Sequence, residues 1–374
     1  MIKVGIFGSG GSIGTQALEL IAQSECLKAE VLVTNSNLDL LISQANRFHP
    51  SAVGLLSTAN YDRQGLGKLA NIKFAAGEEA YALCDSCDVI LFCAVGTDIL
   101  PALIRYVRLG KKIALANKEC LVSAGEIIMD MAAKSGAQII PVDSEHSAVW
   151  QCLRAGKADE VQKIVLTASG GRYYTYSIDK LKTVTPDEAI RHPNWKMGKK
   201  ISVDSATMMN KALELIEARW LFGTKNVDYV IHPESIIHSM VVFRDGAVMA
   251  QLSQPDMRLP ISVALSYPDR GLSGIKDFEF DRTLSFLPKR EDVFFAPRLA
   301  MECIEKGGTS GTILDASNEG AVRLFMQGKI AFTDIAEIVK NVMTSAQIVY
   351  GATLSDIIEL HKSTVNEVIK KYGH

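Results

Sequence analysis

Three things are scarce in this sequence: net charge, long apolar runs and a framework of paired cysteines. Forty basic and 42 acidic residues give a formal net charge of -2, so no global field recruits nucleic acid or an anionic membrane surface. Any anion must be met by local charge. No apolar run reaches membrane-spanning length. The start, Met1-Ile2-Lys3-Val4-Gly5-Ile6-Phe7-Gly8, turns to glycine before a signal-type apolar core could form, so a cytoplasmic protein is expected. Seven cysteines, an odd number without framework spacing, fit reduced and mostly buried thiols better than disulfides. The pair Cys84-Asp85-Ser86-Cys87 lacks the second ligand pair that structural zinc needs. It also precedes the apolar run Val89-Ile90-Leu91-Phe92, where a thioredoxin-type pair would follow a strand; it is expected to end a helix. Internal repeats and low-complexity tracts are absent too.

At 374 residues the chain exceeds one comfortable hydrophobic core and should divide into domains. Six short apolar runs recur between helical stretches: Val4–Phe7, Val31–Val33, Val53–Leu56, Val89–Phe92, Ile113–Leu115 and Ile139–Ile140. Strands buried on both faces and separated by helices make a parallel, doubly wound sheet. From about Ser144 the pattern changes to a helix, a strand through Ile164–Leu166 and a long polar stretch containing His192 and Trp195, a candidate loop or lid. Arg244-Asp245-Gly246-Ala247 between two apolar runs reads as a hairpin turn. Residues 269–295 lack periodicity, and helical spacing then runs to the C-terminus. The expected order is an α/β sheet domain over 1–142, an α+β domain over 143–268, a linker over 269–295 and a helical bundle over 296–374.

Strand, then Gly8-Ser9-Gly10-Gly11-Ser12-Ile13-Gly14, then helix is the context of a dinucleotide-binding turn. Missing side chains let the backbone approach a pyrophosphate, whose charge is met by amides and the positive helix end. The bland reading is a tight strand-to-helix connection. The second strand delivers Thr34-Asn35-Ser36-Asn37 rather than the acid that binds the ribose 2'-hydroxyl of NAD. With no carboxylate to repel a 2'-phosphate, NADP is favoured over NAD.

Asp143-Ser144-Glu145-His146 follows the last apolar run, where doubly wound sheets place their ligands. If strand geometry persists, Asp143 and Glu145 point to one side and could share a cation; carboxylates there also commonly cap a helix. A helix beginning near Ser205 would put Asn210, Lys211 and Glu214 on one face, with Ser205 at its anion-friendly N-terminus. The alternative is an ordinary cap with an exposed Lys/Glu pair. Thr167-Ala168-Ser169-Gly170-Gly171 offers further donors. His232 and His238 read as structural.

Together these segments resemble the 1-deoxy-D-xylulose 5-phosphate reductoisomerase family. The resemblance rests on the glycine turn, Ala114-Leu115-Ala116-Asn117-Lys118-Glu119, Pro141 through Ala148, Thr167 through Gly171, His192-Pro193-Asn194-Trp195 with Met197-Gly198, Val203 through Glu214, and Ile231-His232-Pro233 with Ser235. It implies a Rossmann-like N-terminal domain, a homodimer, and NADPH-dependent rearrangement and reduction of the phosphorylated ketose to 2-C-methyl-D-erythritol 4-phosphate. It implies that Asp143, Glu145 and Glu214 hold Mg²⁺ or Mn²⁺, an assignment that suits three hard oxygen donors. Lys118, Ser144, Glu145, Ser169, His192, Ser205, Asn210, Lys211 and Glu214 match the family's substrate-binding positions, and Lys118 and His192 join the carboxylates in its catalytic set. Gly8, Gly10, Gly11, Ser12, Ile13, Asn35, Ser36, Asn37, Asn117, Glu119 and Gly198 fall on the cofactor side. Gly10 stands where the family usually has threonine, Asn35-Ser36 replaces a glycine-basic pair, and Ala212 replaces a glycine. Two other readings are a different NADP-dependent oxidoreductase, such as a semialdehyde or homoserine dehydrogenase, and a non-catalytic NADP-binding sensor. The former reactions do not need the three carboxylates, and the intact polar set argues against the latter.

Overall fold

The computed structural model describes residues 1–57, 69, 72–190, 198–271 and 274–373. Contacts divide the chain into two compact units, each assembled from separated stretches. One comprises Met1–Asn117, Ile128–Ser147 and Asp256–Lys276; the other comprises Lys118–Ile127, Ala148–Pro255 and Asp277–His374. The consecutive boundaries expected from sequence differ from this grouping, because a stretch joins whichever core its apolar face fits, and sequence order does not record that. No helix among the described residues is long and apolar enough to cross a membrane.

The first unit is built on a seven-stranded parallel sheet: β1 (Ile2–Phe7), β2 (Leu27–Thr34), β3 (Ala52–Leu55), β4 (Lys73–Ala76), β5 (Val89–Phe92), β6 (Lys112–Leu115) and β7 (Gln138–Pro141). Their spatial order is β4-β3-β2-β1-β5-β6-β7. The chain runs outward from β1 in one direction, then restarts at β5 on its other side, leaving a crevice at the carboxyl ends of β1 and β5 where such sheets bind ligands. Six strands were expected. The seventh, β4, is a sheet edge on which Lys73 is exposed and only Ala75 is buried, so it carries no apolar run to betray it. The connecting helices include α1 (Ser12–Ala22), α2 (Leu38–Phe48) and α3 (Leu100–Arg108). Cys84 and Cys87 end a 3-10 helix over Gly77–Ser86 and are buried free thiols. Burial pushes the Cys84 thiol well above its usual range, and a Cβ on Gly5 would stand 2.5 Å from its sulfur. The pair ends a helix and its thiols are buried, as the sequence reading expected.

Two helices pass from one set of stretches to the other: α4 (Lys118–Ser135), kinked at Ala124, and α5 (Ser144–Cys152). The second unit contains β8 (Val161–Ala168), α6 (Ile178–Leu181), α7 (Pro186–Ala189), α8 (Lys199–Ala206), α9 (Met209–Phe222), β9 (Val227–Ile231), β10 (Ile237–Phe243) and β11 (Val248–Leu252). Its mixed sheet has the order β11-β10-β8-β9, with β10 antiparallel to β8 and β11, and β8 parallel to β9. The Asp245-Gly246 turn therefore closes the expected hairpin. His232 is structural: Nδ1 lies 2.8 Å from the Ser285 carbonyl, and Nε2 accepts from the Ile236 and Ile237 amides. Helix α10 (Arg258–Ser266) groups with the first unit. Residues 277–295 are largely irregular but join the second unit's core through Phe294 and a bridge from Leu287 to Ile231. The C-terminal helices α11 (Ala296–Lys306), α12 (Ser310–Met326), α13 (Asp334–Ser345) and α14 (Leu354–Tyr372) complete that unit. Helix α12 is buried on almost every side.

Candidate active site

In the first unit, the glycine turn follows β1. Gly8 adopts φ +100°, and a Cβ there would stand 2.5 Å from the Ala94 nitrogen after β5; only glycine fits this crossing. A Cβ on Gly14 would stand 2.3 Å from the Gly8 carbonyl oxygen, so the first turn of α1 packs directly on the loop. The Gly8 and Ser9 amides donate to the Val33 carbonyl, and buried Ser9 and Gln44 exchange two hydrogen bonds of 2.8 Å. No side chain caps α1 at Gly11, so its leading amides suit an anion. At Gly10 a Cβ would stand 2.9 Å from Leu40 Cδ2: Leu40 fills the space a larger residue would need. Asn35, Ser36 and Asn37 are exposed at the end of β2, with Asn37 capping α2 by accepting from the Leu40 amide. Asn117 is buried and donates to the Ala94 and Gly96 carbonyls, fixing the loop after β5.

Asp143 and Glu145 occupy a different local geometry from the strand-like one expected. β7 stops at Pro141, and α5 starts at Ser144. The Asp143 carbonyl accepts from the Ser147 amide at 2.8 Å, and its Oδ1 lies 3.3 Å from the Glu145 amide. Helical hydrogen bonding thus begins one residue too early for strand alternation to persist. Ser144 donates to Glu145 Oε2 at 2.6 Å, and His146 Nδ1 lies 3.7 Å from Asp143 Oδ1.

In the second unit, Ser205 sits near the C-terminal end of α8 and not at a helix start as the sequence reading expected. The chain breaks at Met208, whose φ of +61° is left-handed, and resumes as α9. Such a backbone costs about 1–3 kcal/mol and persists where surroundings enforce it. Thr207 does so here, donating to the Val203 and Asp204 carbonyls while accepting from the Met209 amide. The Ser205 backbone lies against the loop after β8, where a Cβ on Gly171 would stand 2.7 Å from the Ser205 carbonyl oxygen. Ser169 in that loop accepts from the Gly171 amide, with Gly170 and Gly171 both at positive φ.

The first turn of α9 presents Asn210, Lys211 and Glu214 on one face, as their spacing requires. This is no exposed pair: Lys211 and Glu214 are 4% and 1% exposed. Lys118, at the start of α4 and also buried, donates to Asn210 Oδ1 at 2.8 Å and to Glu214 Oε1 at 3.2 Å. Asn210 and Lys211 donate to the two oxygens of Glu214. Two ammonium groups and an amide thus converge on one buried carboxylate. Charges buried in this way are kept only where partners hold them. His192 and Trp195 lie outside the described residues. Gly198, exposed, begins α8.

Sequence reasoning missed Lys200 and Asp204. Lys200 Nζ lies 2.9 Å from Asp204 Oδ2 and 3.2 Å from Glu119 Oε1, and Asn318 donates to Asp204 Oδ1 at 2.8 Å. Burial works against the Lys200 charge, but Asp204, Glu119 and Asp315 outweigh it and hold its pKa above the usual lysine value. The i, i+4 spacing of Lys200 and Asp204 was the available signal.

Three family models match. One for 1-deoxy-D-xylulose 5-phosphate reductoisomerase covers residues 4–125, and two for its C-terminal domains cover 139–222 and 252–366. The 1-deoxy-D-xylulose 5-phosphate reductoisomerase of Ruminiclostridium cellulolyticum is 44% identical over 369 residues, covering 96% of either chain. That of Thermoanaerobacter pseudethanolicus is 43% identical over the full length of both. Among solved structures, a DOX-P reductoisomerase in complex with NADPH, fosmidomycin and magnesium aligns with a TM-score of 0.94 at 35% identity, covering 100% of this chain and 98% of that one. The Zymomonas mobilis enzyme in complex with NADPH aligns at 0.92 with 36% identity, covering 99% of each chain. By full-length likeness in sequence and in fold, the chain belongs to the 1-deoxy-D-xylulose 5-phosphate reductoisomerase family.

Proposed function

We propose that this chain rearranges and reduces 1-deoxy-D-xylulose 5-phosphate to 2-C-methyl-D-erythritol 4-phosphate, using NADPH and a divalent cation. The observation that carries the reading is the buried Lys118–Asn210–Lys211–Glu214 cluster in a chain that matches the family from end to end. Ser144, Ser169, His192, Ser205, Asn210 and Lys211 bind the phosphorylated ketose. The two lysine ammonium groups suit a phosphorylated anion, and the Ser169 loop, packed against Ser205, supplies neutral donors. Lys118, held by Asn210 and Glu214, keeps an ammonium donor oriented toward substrate oxygen in a site that sheds water.

Asp143, Glu145 and Glu214 are assigned to the cation, and a set of carboxylates alone fits Mg²⁺ or Mn²⁺. When bound, such an ion supplies Lewis-acid polarisation of substrate oxygens during rearrangement and reduction, worth several kcal/mol. The turn at Gly8, Gly10, Gly11, Ser12 and Ile13 fits the pyrophosphate of NADPH, because side chains are missing where backbone must come close. Asn35, Ser36, Asn37, Asn117, Glu119 and Gly198 complete the cofactor side, and NADPH supplies the hydride when bound. Apart from Gly198 the cofactor side falls within residues 1–142, and apart from Lys118 the chemistry falls within 143–268, with 296–374 as the supporting bundle. Family membership further supports a cytoplasmic homodimer, which sedimentation would test.

Purified protein should oxidise NADPH only when both the ketose phosphate and Mg²⁺ or Mn²⁺ are present. Unchanged turnover after exhaustive chelation would sink the metal assignment. Comparable kcat/KM with NADH would overturn the preference for NADPH.

A further inference from the structure

We propose that Lys200 is a positioning residue for NADPH: it holds the Glu119 carboxylate in place and ties it to the start of α8. The inference rests on the reading of Glu119 and Gly198 as cofactor contacts. These two positions are remote in sequence, one in the first turn of α4 and the other at the N-cap of α8. Lys200 joins them. It lies two residues beyond Gly198, and its ammonium reaches Glu119 Oε1 at 3.2 Å. Its second anchor is Asp204 Oδ2 at 2.9 Å, one turn further along α8.

The arrangement has a direction. Asp204 is 1% exposed in its side chain, and its other oxygen accepts from Asn318 of α12, so the Asp204 end is fixed to the bundle core. Glu119 is 7% exposed in its side chain, and among the described residues only one of its oxygens is engaged, by Lys200. The second oxygen is left to accept from a donor of the ligand, whether hydroxyl or amide. A carboxylate pinned at one oxygen presents the other at a fixed angle without loss of rotamer freedom on binding, which is how preorganisation raises affinity. Asp315 and Glu319 of α12 and His361 of α14 belong to the same buried charge network, and Ser123 of α4 donates to Asp315. The Lys200 ammonium is therefore retained as a charge and not as a mobile proton donor.

The test compares Lys200→Met, Lys200→Arg, Glu119→Gln and the double variant Glu119→Gln/Lys200→Met. NADPH affinity is read by cofactor fluorescence on the full chain, alongside separate KM values for NADPH and for the ketose phosphate. Loss of one charged hydrogen bond to the cofactor corresponds to a roughly tenfold weakening. Lys200→Met is expected to raise Kd and KM for NADPH about that much, while KM for the ketose phosphate stays within about twofold. Lys200→Arg should restore NADPH affinity, and the double variant should be no worse than Glu119→Gln alone. If Lys200→Met does not yield folded protein, Lys200→Gln is read by the same criteria. Wild-type NADPH affinity in the neutral Lys200 variants, with Glu119→Gln impaired, overturns the proposal. Equal losses in kcat and in both KM values would mark a merely structural role and overturn it too. Unchanged NADPH affinity in Glu119→Gln overturns instead the reading of Glu119 as a cofactor contact.

Discussion

Replacing Glu214 by glutamine changes charge at nearly constant volume, so its effect isolates electrostatics. In the native cluster Lys118 and Lys211 both donate to Glu214, and Asn210 donates to it as well. Glutamine offers one acceptor oxygen where the carboxylate offers two, and its amide nitrogen turns a donor toward ammonium or amide donors. Two buried ammonium groups then lose the carboxylate they share. Removing one partner of a buried pair typically costs about 3–5 kcal/mol. At roughly 2 °C per kcal/mol, the low end appropriate to a long chain, the thermal midpoint should fall by about 6–10 °C. The kinetic effect is separable. With one oxygen ligand and its charge removed, several kcal/mol of stabilisation are at stake, so kcat should fall roughly 100-fold or more. NADPH affinity should stay within about twofold. Calorimetry, steady-state kinetics and cofactor titration on one preparation give all three numbers. Wild-type kcat would refute the role of Glu214 in the chemistry, and loss of NADPH binding would show that the residue had been placed in the wrong site. An unchanged thermal midpoint would refute the argument that the cluster's charges depend on one another.

Gly14→Ala would ordinarily favour a helix by about 1 kcal/mol, but here the new methyl would stand 2.3 Å from a backbone oxygen. The expected outcome is weaker NADPH binding and a lower melting temperature, and a stabilised variant would show that the turn is not packed as described. Ala212→Gly, which restores the family's usual residue at a fully buried helical position, should destabilise by about 1–2 kcal/mol in urea titration through lost propensity and one lost methyl contact. His361 is buried 3.1 Å from Asp315 Oδ2 and 3.8 Å from Glu319 Oε2. Burial and Lys200 oppose its charge, but the Asp315 hydrogen bond and the two carboxylates hold its pKa above the ordinary histidine value. A raised folded-state pKa gives stability that is complete below about pH 6.5, the unfolded value, and is lost as pH rises through the folded one. Melting temperature should therefore decline with rising pH from about pH 6.5 upward, and His361→Gln should flatten that slope; an equal slope in both proteins would assign the effect elsewhere.

The doubly wound sheet was legible because its central strands are buried on both faces, which forces continuous apolar runs, and the edge strand β4 was missed for lack of them. The glycine turn was legible because close backbone approach leaves no alternative residue at Gly8 or Gly14. Asn210, Lys211 and Glu214 were legible as one helical face by periodicity alone. Their burial was not, since exposure depends on what packs above the face, and Lys118 comes from α4, far away in the chain. Ser205 was misplaced for a similar reason. Val203 through Leu213 reads as one helix start, and only the left-handed Met208, enforced by Thr207, splits it in two.

The sequence by itself determined the class of sheet, the glycine turn and the family, because these rest on local periodicity and on motifs in fixed order. Tertiary structure alone decided which stretches share a core, how Ser205 faces the Gly170-Gly171 turn, and that Lys200 joins Glu119 to Asp204. Those contacts link residues remote in the chain, and their energies come from excluding water around them. No local pattern encodes that exclusion.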